Sequence, residues 1–384
     1  MTQRALFVGN FFSGVPGTRG PIEDLVSLLP ATGWSAITTS TRRGRLGRLI
    51  DMLRTTWMRR REYSVAHVDV YSGAAFVWAE AVCIALRRAG KPFVLTLHGG
   101  NLPAFARQWP GRVQRLLGAA AAVTTPSGYL CSEMSSYRDD ILVLPNCIDL
   151  HAYRFRPRPQ PSPRLVWLRA FHSMYNPELA PKIVKLLESD YPLVQLTMIG
   201  PDKGDGSLER TQWSARELGV SHRINYPGGL PKSDIPALLD QYDVFLNTTD
   251  VDNTPVSVVE ALACGLCIIS TNVGGIPYLL DDGRDALLVP ARDPHSMAAA
   301  LRRLLTEPGL AARLSHQARA KAETLDWSAV LPKWNAILTD SAQRPNRGLA
   351  SRGGQLPAAD HSALSESRME NQGSTESESH DSTS

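Results

Sequence analysis

The stretch DVDNTPVSVVEALACGLC, Asp250 to Cys267, reads as a polar loop, an apolar helix and the start of a strand. Pro255 suits the first helical position, Thr254 or Asn253 can cap it, and Gly265 stops it. The predicted helix, PVSVVEALAC, begins just after Asp252 and carries Glu260 about one and a half turns in. Its first turn offers backbone N–H groups and the positive end of the helix dipole, which suits a phosphate or a sugar oxygen. A carboxylate on a face that is otherwise apolar needs partners, and ligand hydroxyls supply them. On pattern alone the alternative is a solvent-facing Glu260 behind a helix-capping acid.

This helix, flanked by DVFLNT and CIIST, is one unit of a longer alternation. In the first half the short apolar, β-branched runs are ALFVGNF, SAITTS, AHVDVY, PFVLTLHGG, AAVTTP and ILVLPN; in the second they are RLVWLR, QLTMIG, RINYPG, DVFLNT, CIIST and ALLV. Helix-length amphipathic segments separate them, the pattern of an α/β protein whose parallel sheets are covered on both faces. Each half therefore predicts one doubly wound, Rossmann-like sheet. Between them, RFRPRPQPSPR from Arg154 to Arg164 sets four prolines in a polar run and reads as a linker. The expected organisation is a domain over residues 1–153, a linker over 154–163, a domain over 164–325 and a disordered tail over 341–384, rich in Ser, Glu, Gly and Asn. Such sheets bind ligands at the carboxyl ends of their strands, so two facing sheets predict one cleft with loops from each side.

The 384 residues, 43% hydrophobic and 20% charged, can fill ordinary cores. No run approaches the ~18 apolar residues of a membrane span; the best candidate, Ala74 to Leu86, is interrupted by Glu80. The opening RALFVGNFF enters a Gly/Pro loop, as a buried first strand does, and five scattered cysteines do not make a disulfide framework. These features lead us to expect a cytoplasmic protein. Cys264 and Cys267 lack the second ligand pair of a zinc site and are expected in the core. The net charge of +4 conceals an asymmetry: residues 1–155 carry 18 Lys and Arg against 10 Asp and Glu, and residues 156–340 carry 19 against 21.

The whole of DVDNTPVSVVEALACGLCIISTNVGGIPYLLDDGRDALLVPARDPHSMAAAL resembles the signature region of family 4 glycosyltransferases, retaining enzymes of the GT-B fold. VLPNCIDLHAYRFRPR, TLHGG and LDWSAVLPKWNAIL resemble further segments of that family, the last being a helix, 326–340 here, that crosses back to the first domain. The resemblance implies two Rossmann-like domains facing across a cleft and a nucleotide-sugar donor. Glu260 is then the acid that holds the ribose, and Asp252, an Asp where the family usually has Glu, is the acid that contacts the transferred sugar. Backbone groups of Thr254, Pro255, Val256 and Ser257 meet the donor sugar or diphosphate. Arg169 neutralises the leaving diphosphate. The Lys that accompanies it in the family is missing, with Tyr175 or Asn176 in its neighbourhood and Lys182 as a substitute. His98 contacts the sugar near the reacting carbon, and the loop SGVPGTRG, with Gly17 and Gly20, lets the diphosphate approach its backbone. That loop is not followed by the pattern of a nicotinamide site. Asp250 and Asp252 mimic the Asp-x-Asp metal motif of the other glycosyltransferase fold, but no metal and no separate cofactor is expected.

The resemblance implies a metal-independent hexosyltransferase in the synthesis of a lipid-linked glycan, exopolysaccharide or lipopolysaccharide. A nucleotide-sugar epimerase, a phosphorylase, or a non-catalytic nucleotide-sugar-binding subunit are the alternatives on the same architecture. No nucleic-acid partner is expected. From Arg42 to Arg61, RRGRLGRLIDMLRTTWMRRR spaces Leu46, Leu49, Ile50, Leu53, Trp57 and Met58 as on one helix face among arginines. This predicts either a helix packed on the first sheet or one resting on anionic lipid, which would make the protein peripheral on the cytoplasmic face of the plasma membrane.

Overall fold

The structure, a computed structural model, describes residues 3–9, 11, 21–42 and 44–344. Each of the twelve apolar runs contains a strand. The first sheet takes β1 (Gln3–Val8), β2 (Trp34–Thr39), β3 (Val65–Val70), β4 (Phe93–Leu97), β5 (Ala122–Thr125) and β6 (Leu142–Val143) in the order β2-β1-β3-β4-β5-β6. The second takes β7 (Arg164–Leu168), β8 (Gln195–Ile199), β9 (Ile224–Gly228), β10 (Val244–Asn247), β11 (Cys267–Thr271) and β12 (Ala286–Val289) in the order β12-β11-β10-β7-β8-β9. All the pairings are parallel. Strand order reverses between β1 and β3 in one sheet and between β7 and β10 in the other, where crevices open in folds of this kind.

Both faces of each sheet are covered, so successive residues of a strand enter different cores. In β1, Leu6 and Val8 join one core, while Ala5 and Phe7 join another with Val330, Trp334 and Leu338. In β7, Leu165 and Trp167 divide in the same way from Val166 and Leu168. Double-sided burial is why these runs read as continuously apolar rather than alternating. Val330, Trp334 and Leu338 belong to the helix Trp327–Gln343, which lies on the first sheet; the Trp34 indole also donates to Asn335 Oδ1 at 3.1 Å. That helix runs three residues beyond 340, with Ser341 buried. The remainder of the expected tail, 345–384, lies outside the described residues.

The proline-rich segment takes no regular structure, yet it is pinned to the second domain. Arg158 is buried and donates to Tyr242 O at 3.0 and 3.1 Å, and Arg156 bonds Asp240 and Asp243. The prolines remove helix and sheet; the arginines between them anchor the strip.

Close backbone approach fixes the carboxyl ends of the second sheet. A Cβ on Gly200 would lie 1.7 Å from Arg169 O, at φ +154. Gly200→Ala should therefore cost roughly 3 kcal/mol or more and lower the thermal midpoint by several degrees. Gly47→Ala, in the exposed helix Arg45–Met58 with open space around its Cβ position, should instead raise stability slightly, by up to ~1 kcal/mol. Equal midpoints for the two variants in a thermal melt would refute this reading of Gly200.

Candidate active site

The loop after β10 and the residue after β7 meet at the reversal point of the second sheet. Arg169 forms an ion pair with Asp252, and its guanidinium lies 4.1 Å from the centroid of Tyr175. Asp252 Oδ1 accepts the Asn253 N–H at 2.9 Å, while Arg169 Nε is buried without a partner. The two groups read from sequence as separate donor contacts are thus each other's partners.

The helix that follows is Val256–Cys264, with residues Ser257 to Cys264 all buried and Gly265 in the left-handed conformation that ends it. Pro255 is the N-cap and not the first helical residue, and no side chain caps the helix. Asn253 and Thr254, the expected caps, are drawn to the first domain. The Asn253 side chain bonds Ser127, Thr254 Oγ1 donates to Pro126 O at 3.2 Å, and Thr254 O accepts Asn146 Nδ2 at 2.9 Å. No side chain caps the leading N–H groups of Val256 and Ser257, and Ser257 Oγ is buried without a partner.

From the first domain, His98 follows β4, and its Nε2 lies 3.0 Å from Asp69 Oδ1. The Tyr71 ring stacks on it at 4.9 Å. Gly100 comes close to the other domain: a Cβ there would stand 2.9 Å from Val251 Cγ1 and 3.5 Å from Asp252 O, so the His98 loop lies against the Asp252 loop across the cleft. His98, Arg169, Asp252 and the helix N-terminus therefore converge. Beneath them His67 is buried, bonds Thr96 at 2.6 Å, and is pushed down to about 4 by desolvation, so it is neutral.

Glu260 faces a cavity of ≈ 1070 Å³ that both domains line. Tyr153 Oη donates to Glu260 Oε1 at 2.9 Å. Burial raises the Glu260 pKa above its ordinary value, opposed by the Tyr153 hydrogen bond and by Lys232. Across the same cavity Lys232 Nζ contacts Asp24 Oδ2 at 2.8 Å, tying one domain to the other.

The remaining candidates fall elsewhere. Asn176 sits at φ +45, and its amide donates to Asp250 Oδ1 at 3.2 Å. Asp250 also accepts Arg292 Nε at 2.8 Å. Asp250 and Asp252 thus have different cationic partners. Among the described residues no group of three His, Cys, Asp or Glu is placed to hold a metal ion, and Cys264 and Cys267 are buried thiols. Lys182 is exposed. Gly17 and Gly20 lie outside the described residues. Sequence reading missed Asp69, Tyr153, Ser127 and Lys232, whose partners stand 29, 107, 126 and 208 positions away.

Two facing Rossmann-like domains with this cleft define the GT-B architecture. The description Glycosyl transferases group 1 matches residues 153–321, and Glycosyltransferase Family 4 matches residues 15–152. The chain belongs to the family 4, group 1 glycosyltransferases. It is 29% identical over 177 residues to the D-inositol 3-phosphate glycosyltransferase of Corynebacterium jeikeium, a match covering 45% of this chain and 42% of that relative's length. To the protein of that name from Acidothermus cellulolyticus it is 24% identical over 319 residues, 74% of this chain and 71% of the relative. Among solved structures it is similar in fold to Anabaena Alr3699/HepE in complex with UDP and glucose, at TM-score 0.71 and 17% identity, covering 88% of this chain and 99% of that one. It is likewise similar to sucrose-phosphate synthase from Thermosynechococcus elongatus, at TM-score 0.74 and 16% identity, covering 88% and 98%.

Burial of Glu260 has a measurable cost. Its native pKa lies above the unfolded value of 4.5, so the folded state binds the extra proton and stability falls as pH rises between the two. Glu260→Gln, which can still accept from Tyr153, should melt at or above the wild-type temperature at pH 7, an advantage that vanishes near pH 4. A variant that melts lower at pH 7 would show that the carboxylate is compensated.

Proposed function

We propose that this protein transfers a hexose from a nucleoside-diphosphate sugar to an acceptor hydroxyl with retention of anomeric configuration, without a metal or cofactor. The observation that carries this reading is the uncapped N-terminus of a buried helix beside Arg169, at the reversal point of the second sheet and against the His98 loop. An entering diphosphate takes the place of Asp252 on Arg169 and bonds the first N–H groups of the helix, where charge-assisted contacts are strongest. Asp252, released, accepts a hydroxyl of the donor sugar; His98 meets the sugar from the other side, and Glu260 holds the ribose. In the reaction the bond from the anomeric carbon to the diphosphate oxygen breaks, and the acceptor oxygen bonds that carbon on the same face. The acceptor proton passes to the departing diphosphate. Positioning and charge stabilisation by Arg169 and the helix supply the protein's share.

For the acceptor, we favour a glycan or lipid-linked sugar at an anionic membrane surface, on the cytoplasmic leaflet, in surface polysaccharide or lipid-linked glycan synthesis. No described helix is long and apolar enough to cross a membrane. The support comes from the helix Arg45–Met58. Its buried face is Met52 and Thr56, while Leu46, Ile50, Trp57 and Met58 are exposed, with Val77 and Ile84 of the adjoining helix Ala74–Arg88 also exposed. Much of the apolar stripe expected on the sheet thus faces outward, between arginines, and Arg60 lies over the Trp57 ring at 4.7 Å. Such a face suits lipid headgroups.

A thermal-shift screen of UDP-, GDP- and ADP-sugars tests the donor. A ligand at 100 times its Kd should stabilise by about 2.7 kcal/mol. Turnover with the stabilising donor should survive EDTA and give a product of the donor's anomeric configuration. Arg169→Ala should lower kcat far more than donor affinity. Conversion of the donor without any acceptor would point to an epimerase, and binding without transfer or slow hydrolysis to a binding subunit. For the membrane, flotation with anionic liposomes should decline with salt and with Arg59, Arg60 and Arg61 changed to Gln; salt-insensitive or absent binding would leave a soluble acceptor.

A further inference from the structure

Strands β3 and β4 pair with Asp69 opposite Thr96, and the ladder continues as His98 N donates to Val70 O at 2.9 Å. His98, two residues beyond Thr96, therefore projects on the same sheet face as Asp69. That face lies under the helix Trp327–Gln343 and is largely apolar, with Ala5, Phe7, Val65 and Val94 in one core with Val330, Trp334 and Leu338. A polar strip crosses it. Thr124 and Thr96 share a hydrogen bond at 2.7 Å, Thr96 meets His67 Nε2 at 2.6 Å, and His98 Nε2 donates to Asp69 Oδ1 at 3.0 Å. The threonines and the neutral His67 satisfy one another, but a carboxylate in such surroundings is unfavourable unless a donor meets it. The Asp69 side chain is 6% exposed, and among the described residues only His67, at 4.0 Å, and His98 come within ion-pair distance of it. Because desolvation keeps His67 uncharged, the partner that matters to Asp69 is His98.

Two further contacts leave the couple little freedom. Asp69 Oδ2 lies against Gly9, where a Cβ would come within 2.6 Å, so the second oxygen is hemmed in by backbone. On the other ring, Tyr71 stacks at 4.9 Å between centroids with 17° between the planes. The hydrogen bond decides which edge of the imidazole faces the carboxylate, and the stack holds its plane. An ionised carboxylate only accepts, so the shared proton resides on Nε2 and, in the neutral ring, Nδ1 keeps the lone pair. With Pro126 and Asn146, which hold Thr254, the couple also borders a cavity of ≈ 40 Å³. The wall that positions His98 is thus continuous with the wall that holds the start of the donor-side helix.

We propose that Asp69 is a positioning residue for sugar transfer, acting through His98: it fixes the imidazole as the Nε2–H tautomer, flat against Tyr71, so that Nδ1 is presented as a hydrogen-bond acceptor to a hydroxyl of the transferred sugar. The proposal deepens the transferase reading and rests on it. An imidazole free to exchange its proton between the two nitrogens presents a donor part of the time and misaligns that hydroxyl. Since Arg169, the helix N-terminus and Glu260 supply most of the hold on the donor in this reading, the loss falls on kcat and not on KM.

The test uses the full chain with isotope-labelled histidine, read by nitrogen NMR at a pH where titration shows the His98 ring neutral, its signals assigned by their disappearance in His98→Gln. Wild type should show one protonated and one lone-pair nitrogen, the signature of a fixed tautomer. Asp69→Asn keeps the size of the side chain, but an amide can accept or donate, so the two nitrogens should move towards an averaged shift. Asp69→Ala, which leaves the ring no partner, should do the same. In both variants kcat, with the donor found by the thermal-shift screen, should fall roughly tenfold to a hundredfold while the donor KM stays within about threefold. Thr124→Val, which interrupts the same polar strip away from His98, should lower the melting temperature yet leave the tautomer and kcat at their wild-type values. A fixed tautomer that persists in both Asp69 variants, an unchanged kcat in them, or an equal loss of kcat in Thr124→Val overturns the proposal. Nucleoside-diphosphate binding at the wild-type affinity shows that the variants fold. A wild type that neither binds a nucleoside diphosphate nor transfers a sugar would instead refute the transferase reading, whereas the ring spectra need no substrate and test the coupling to Asp69 by themselves.

Discussion

The segment from Asp252 to Pro255 is held by both domains, and the geometry of the cleft depends on that double hold. From its own domain, Arg169 pairs with Asp252, while Gly275 donates to Asp252 O at 3.1 Å. A Cβ on Gly275 would stand 1.8 Å from Asn253 O, so the two backbones leave no room for a side chain. From the other domain, Pro126, Ser127 and Asn146 take up Asn253 and Thr254, the residues that would otherwise cap the helix. A helix start stripped of its caps by a neighbouring domain keeps its donors for a ligand. The cost of leaving them unmade is met when an anion arrives.

The same logic explains why a carboxylate sits in a largely apolar helix. Residues Ser257 to Cys264 are all buried, so Glu260 cannot be solvated as a surface acid is. A tyrosine hydroxyl from the first-domain side and a cavity large enough for a nucleotide are its surroundings. Burial leaves the group under-satisfied and raises its pKa; on the proposed reading, ribose hydroxyls would supply the partners that burial denies it. Stability and binding therefore pull in opposite directions at this position.

How much of this was legible in the sequence follows from distance along the chain. The strands were readable because double-sided burial writes uninterrupted β-branched runs such as QLTMI and CIIST, and because the four prolines between Arg154 and Arg164 break the pattern at one place. The helix at Val256 was readable because Pro255 and Gly265 bracket it, although the cap at Thr254 was misread, since a local rule cannot see Pro126. Partnerships that span the fold left no local trace. Nothing near Asp69 points to His98, nothing near Tyr153 points to Glu260, and the pairing of Arg169 with Asp252 appears only once β7 and β10 lie side by side. Nor does the sequence near Asn176 show its left-handed backbone or its bond to Asp250, 74 positions away.

Across the cleft these contacts share a property that bears on selectivity. Arg169 with Asp252, His98 with Asp69, Lys232 with Asp24 and Tyr153 with Glu260 each join a donor to a carboxylate in partly or fully buried surroundings. Desolvated charges left alone would be costly, so the empty cleft keeps them matched. On the proposed reading, an anion reaching Arg169 would exchange one carboxylate for a phosphate and free Asp252 to accept hydroxyls, and a vicinal diol reaching Glu260 would add bonds without displacing a cation. Internal pairing, on that transferase reading, favours a ligand that brings phosphate and hydroxyls together over one that brings only one of them.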